Sequence, residues 1–92
     1  MFRMIIESDH EKLKREGRYD PSKFDLELRK ICLATHFEET SPSHYVLGSE
    51  YDEIGRMMVL NARLETAGCV LSNLKTWITF SDDEGEVNWL ND

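Results

Sequence analysis

The stretch Val70-Leu71-Ser72-Asn73-Leu74-Lys75-Thr76-Trp77-Ile78-Thr79-Phe80-Ser81-Asp82-Asp83-Glu84-Gly85-Glu86-Val87-Asn88-Trp89-Leu90 admits two readings, and the fold class turns on the choice. Val70, Leu71, Leu74, Trp77 and Ile78 fall at i, i+1, i+4, i+7 and i+8, the spacing of a helix with one apolar face. Against this, Trp77-Ile78-Thr79-Phe80 and Val87-Asn88-Trp89-Leu90 are rich in strand formers, and the residues between them can close a hairpin. The helix reading is preferred, ending near residue 78 with an acidic turn beyond it. The fold expected from it is mainly α: a compact three- to four-helix domain with a minor β element. The alternative is an α+β fold with a C-terminal hairpin over 77–90.

Upstream, helix signals recur. Ser8-Asp9-His10-Glu11 reads as a capping box, with the Ser8 hydroxyl accepting from the Glu11 amide, so a short helix is expected up to Gly17. Asp20-Pro21 is a stronger start: a side-chain cap, then a proline at the first helical position, where no amide hydrogen is missed. Phe24, Leu28, Ile31 and Thr35 then mark one stripe, predicting a helix over 21–37. Glu38-Glu39-Thr40-Ser41-Pro42-Ser43 reads as a loop of turn formers. His44-Tyr45-Val46-Leu47-Gly48 is too short for a helix and reads as an extended segment, for which Phe2 to Ile6 is the available partner. Ser49 is taken as the cap of the next helix, along which Ile54, Met57, Met58, Asn61 and Leu64 recur before Gly68. Gly55 inside it costs about 1 kcal/mol relative to alanine and points to close packing against a neighbouring helix.

Length and charge bound the class. The 92 residues suffice for one core and not two, so the expected organisation is a single domain over 1–92 ending in an acidic segment, 81–92. The net charge of −7 is unevenly placed. Eight of the eleven Lys and Arg residues precede position 31, and none follows Lys75, whereas Asp82, Asp83, Glu84, Glu86 and Asp92 do. Direct binding of a nucleic-acid backbone is therefore not expected, because it needs several cations on one face. No run approaches the roughly 20 apolar residues of a membrane span, and the N-terminal apolar run stops at Glu7. Cys32 and Cys69 read as packed thiols of a reducing compartment, which makes the cytoplasm the expected location.

Glu11-Lys12-Leu13-Lys14-Arg15-Glu16-Gly17-Arg18-Tyr19-Asp20, together with Asn73-Leu74-Lys75-Thr76-Trp77, resembles small uncharacterised acidic proteins of bacteria and their mobile elements. The resemblance implies a setting and no mechanism, fold or site residue.

Four constellations bear on chemistry. Cys32 and His36, four apart on a predicted helix, could be half of a zinc site that His10 and His44 would have to complete, or a thiol with a base; a packed cysteine beside a surface histidine is the preferred reading of the spacing. Asp82-Asp83-Glu84 with Glu86 lacks the alternating ligands of an EF-hand loop and reads as a solvated turn or as a negative surface for a basic partner. Trp89, set among polar residues, is the better interface candidate, while Trp77 lies on the apolar stripe. Met57 and Met58, with Met1 and Met4, fit core filling or an adaptable binding surface.

The expected function is a non-enzymatic protein–protein interaction or regulatory module, with Asp82, Asp83, Glu84, Glu86 and Trp89 as partner-binding residues. The partner expected is a protein, a basic one fitting best, with a homo-oligomer as a further possibility. No catalytic residue, cofactor, metal or membrane is assigned. The alternatives are a nucleic-acid-mimicking inhibitor of a basic nucleic-acid-binding protein, and a small thiol or metal-dependent enzyme on Cys32 and His36.

Overall fold

The computed structural model describes residues 1–90; the last two residues of the expected acidic segment, among them Asp92, lie outside them. The chain runs β1 (Phe2–Ser8), α1 (His10–Glu16), α2 (Pro21–Ala34), β2 (Phe37–Ser41), β3 (His44–Leu47), α3 (Glu53–Thr66), a 3-10 turn at Leu71–Asn73, β4 (Leu74–Ser81) and β5 (Gly85–Asn88). The five strands form one antiparallel sheet in the order β2-β3-β1-β4-β5. The mainly helical expectation is therefore corrected: the fold is α+β, with three α-helices against a five-stranded sheet. Strands β1 to β4 with their helical crossovers follow the split β-α-β, or ferredoxin-like, connectivity, to which β5 adds an edge.

The correction at 70–81 has a specific cause. Ser8 pairs with Leu74 and Glu7 with Thr76, so Lys75 is an extra residue bulged out of β4. Leu74 and Trp77 consequently lie three apart and are both buried, which imitates a helical repeat within a strand. Val70 and Leu71 belong to the turn before it, and Ile78 points to the other face from Trp77. Beyond β4, Ser81 pairs with Gly85. The Ser81 hydroxyl oxygen accepts from the Asp83 and Glu84 amides at 3.1 and 3.3 Å, and Gly85 takes the left-handed conformation, φ 72°, that ends a three-residue hairpin loop.

Other boundaries move for similar local reasons. Ser8 is the last residue of β1 rather than a helix cap; Asp9 caps α1 by accepting from the Lys12 amide at 3.0 Å. Asp20 and Pro21 start α2 as the sequence indicates, but the helix stops at Ala34 and His36 turns to φ 76°. The expected loop at 38–43 is mostly the edge strand β2, polar because only Phe37 of its five residues is buried. The pairing of Phe2–Ile5 with His44–Leu47 is antiparallel, Phe2 opposite Leu47 and Ile5 opposite His44. Asp52, not Ser49, is the N-cap residue of α3. The atoms nearest to a Cβ on Gly55 would be those of the Asp52 side chain, its carboxylate at 2.9 Å, so that glycine accommodates its own helix start.

Alternation along β1 sends Phe2, Met4, Ile6 and Ser8 into the protein and Arg3 and Glu7 out of it. Of these, Phe2, Met4 and Ile6 pack with Phe24, Leu28 and Cys32 of α2, Met57, Leu60 and Leu64 of α3, Leu13 of α1, Tyr45, Leu47 and Trp77 in one core cluster. Ile5, Val46, Ile78 and Phe80, on the other side of the sheet, are not part of it. Each fully buried side chain of this size contributes about 1.5–3 kcal/mol over its exposed state. No helix among the described residues is long and apolar enough to cross a membrane.

The two faces of α3 should respond differently to truncation. Leu60→Ala, at a fully buried site, is expected to lower unfolding free energy by about 2–5 kcal/mol. Met58→Ala, at an exposed site, should change it by no more than about 0.5 kcal/mol. Urea unfolding of both variants checks this, and equal losses would contradict the packing described.

Candidate functional site

A surface with exposed apolar side chains lies between α3 and the β4–β5 hairpin. Helix α3 uses Met57, Leu60 and Leu64 for the core, which leaves Ile54 and Met58 exposed at 66% and 68%. Ile54, Met58 and Asn61 recur at i, i+4 and i+7 and form one wall of a groove of about 360 Å³. Phe2 and Thr79 contribute to its floor, and Trp89, Ser81, Asp83 and Glu84 form the opposite side. Glu53 at the helix start completes the acidic rim, and among the described residues no Lys or Arg lines the groove. The Ser81 hydroxyl lies 3.4 Å from the Glu53 carboxylate, tying the hairpin to the start of α3.

Trp89 is held firmly although it is 41% exposed. Its indole Nε1–H donates to Thr79 Oγ1 at 2.9 Å, and its backbone amide donates to the Trp77 carbonyl at 2.8 Å. Its ring stacks on buried Trp77, with centroids 5.6 Å apart and planes at 28°. With the polar edge already bonded, what remains for a partner is a fixed apolar surface. Such a side chain loses little conformational entropy on binding.

The sequence-derived contact set is thus divided. Asp83, Glu84 and Trp89 converge on the groove. Asp82 sits in the same turn but is paired with the N-terminal amine, whose hydrogen bond and charge hold its carboxyl below the usual range. Glu86 lies opposite Phe80 and so points to the other face of the sheet. Of the four methionines, Met4 and Met57 are core, and Met1 and Met58 are exposed. Glu53, Ile54 and Met58 complete the site, and of these only Met58 carries a contact role in the sequence, as the alternative to core filling. The sequence sets Ile54 on the same apolar stripe as Met57 and Leu64, and only the packing of α3 turns it outward.

The thiol candidate meets a different environment. Cys32 is fully buried, and desolvation pushes its thiol up to about 12 even though a hydrogen bond with Tyr45 works the other way. A nucleophilic thiolate needs the opposite shift. His36, beyond the helix end, stacks on Tyr51 at 4.7 Å between ring centroids. Among the described residues no three His, Cys, Asp or Glu side chains come together to hold a metal ion.

One polar cluster escapes the sequence reading altogether. Asp25 of α2 accepts a hydrogen bond from the buried Ser8 hydroxyl, and its second carboxylate oxygen lies 2.7 Å from His10 Nε2. The carboxylate stands between hydroxyl and imidazole, so the histidine does not face the hydroxyl as a base would. The arrangement ties the ends of β1 and α1 to α2. No family model, curated protein or solved structure matches the chain.

The cysteines provide a test of these environments. A maleimide should label half-exposed Cys69 in the native protein and leave Cys32 unmodified until the protein unfolds; equal rates would contradict the burial. Because folding raises the Cys32 pKa from about 9 to about 12, its stabilising effect is complete below pH 9 and is lost as pH rises across that interval. The slope is at most about 1.4 kcal/mol per pH unit. Cys32→Ala should flatten the alkaline fall in stability relative to the parent, as measured by urea unfolding across pH 8–11.

Proposed function

We propose that this chain is a non-enzymatic interaction module whose partner presents a basic amphipathic segment to the groove between α3 and the β4–β5 hairpin. The observation that carries this reading is the convergence of Ile54, Met57, Met58 and Trp89 with Glu53, Asp83 and Glu84 around one groove, with no cation among the described residues of its lining. Methionines give a wall that adapts to different apolar side chains, while Trp89 gives a rigid anchor. The carboxylates favour Lys or Arg flanking the apolar contacts and disfavour acidic competitors.

The geometry favours a helical occupant. Ile54, Met58 and Asn61 span about 10 Å along α3, matching two turns of a helix laid beside it. A partner helix with apolar residues at i, i+4 and i+7 and bases on either side would meet both the methionine wall and the acidic rim. Burial of its apolar stripe supplies affinity at about 25 cal/mol per Å², less the cost of ordering the segment. The charges mainly set selectivity and the rate of encounter.

A synthetic Leu/Lys amphipathic peptide, titrated into isotope-labelled protein, tests the proposal. Its expected effect is to shift the resonances of Ile54, Met57, Met58 and the Trp89 indole. Affinity should fall at least tenfold, about 1.4 kcal/mol, in the triple variant Glu53→Lys/Asp83→Lys/Glu84→Lys, and also as salt is raised. Shifts confined to other surfaces would overturn the reading, as would equal binding of a Leu/Glu peptide with the same apolar stripe.

A further inference from the structure

The side of the sheet away from the helices carries a second apolar surface. Strand registers align Glu38, Val46, Arg3, Phe80 and Glu86 in one row across all five strands. The adjacent row contains His44, Ile5, Ile78 and Asn88. Its apolar centre, Ile5, Val46, Ile78 and Phe80, is half-buried by lateral neighbours alone and lies outside the core cluster. The Arg3 guanidinium lies over the Phe80 ring, 5.1 Å from its centroid. Both ends of the first row are acidic and its middle is basic.

We infer that this face is a self-association surface, covered in solution by the same face of a second copy of the chain. The charge order is the reason. Adjacent strands lie about 4.8 Å apart, so Arg3 on β1 stands two strands from Glu38 on β2 and two from Glu86 on β5. A twofold axis lying between two stacked sheets and running along β4 sets β1 of one copy over β5 of the other. Arg3 then faces the second copy's Glu86 twice, while Phe80 meets Phe80 and Ile78 meets Ile78 on the axis. This is the self-complementarity that a twofold interface requires. An axis along β3 would also pair Arg3 with Glu38, but it would leave Phe80 uncovered, so the β4-centred arrangement is the one assigned.

The same charges disfavour other occupants. Glu7, Glu38 and Glu86 outnumber Arg3 on this face, which repels a phosphate backbone. Stacked sheets pack about 10 Å apart, a gap that an arginine reaching toward a glutamate can span. The groove beside α3 lies on the opposite side of the sheet, so the dimer does not depend on the interaction proposed for that groove.

Sedimentation-equilibrium measurements over a range of protein concentrations in roughly 0.15 M salt test the inference. The parent chain should show a monomer–dimer equilibrium. Arg3→Glu and Glu86→Arg should each raise the dissociation constant at least tenfold, because like charges then face each other across the axis. Mixing these two variants should restore a dimer, since both cross-axis contacts of the mixed pair then join one acid to one base. The doubly substituted chain Arg3→Glu/Glu86→Arg should dimerise with itself. A parent that stays monomeric throughout would overturn the inference. A dimer that ignores both substitutions would do the same, as would a mixture of two folded variants that stays monomeric. Circular dichroism of each variant identifies any that fails to fold, and the Glu86→Arg change on an edge strand is the one least able to disturb folding.

Discussion

Strand β1 is the constraint on which the rest of the molecule depends. It pairs with β3 on one side and β4 on the other, so both of its edges are occupied by segments distant in sequence. Its inward side chains, Phe2, Met4 and Ile6, lie at the centre of the core against α2 and α3. A seven-residue segment cannot supply such contacts until the hairpin at 37–47 and the strand at 74–81 have both arrived. Assembly therefore carries the loop-closure cost of long-range pairing. Local helix signals start α2 and α3, but it is β1 that determines where they pack.

The position of β1 also sets the chemistry of the two surfaces. At the start of β1, Phe2 reaches the groove floor and the N-terminal amine meets Asp82 in the hairpin loop. At its end, Ser8 meets Asp25 and α1 begins. Acids of the α3 start and of the hairpin loop therefore gather at one end of the sheet, while Lys12, Lys14 and Arg15 follow from α1 at the other.

Several features are legible in the sequence alone. Asp20-Pro21 marks the start of α2, and His44–Leu47 reads as extended with Phe2–Ile6 as its mate. The apolar spacing finds α3 but not its buried face: of Ile54, Met57, Met58, Asn61 and Leu64 only Met57 and Leu64 are buried, and Leu60 is the third buried residue. The strands β2 and β4 are not legible in the preferred reading. Glu38, Glu39, Thr40 and Ser41 look like a loop because an edge strand needs little apolar surface, and its backbone pairing leaves no trace in composition. Leu74 and Trp77 look helical because Lys75 is bulged from between paired residues. For the site, Asp83, Glu84 and Trp89 are identifiable as acids beside an aromatic residue, whereas Glu53 and Ile54 reach them only through tertiary packing. The Ser8–Asp25–His10 cluster joins three separate elements, and local spacing gives no indication of it.

The bulge at Lys75 has an implication beyond disguising a strand. Residues 76–80 carry apolar side chains in both phases of the strand: Trp77 in one, and Ile78 and Phe80 in the other. Alternation alone would accept either set as the inner one, since both are greasy enough to be buried. The inserted residue acts as a phase selector, committing the indole to the interior and leaving isoleucine and phenylalanine on the outer face. The character of that outer face is thus decided at a single backbone irregularity near one end of the strand, several residues before the side chains it governs.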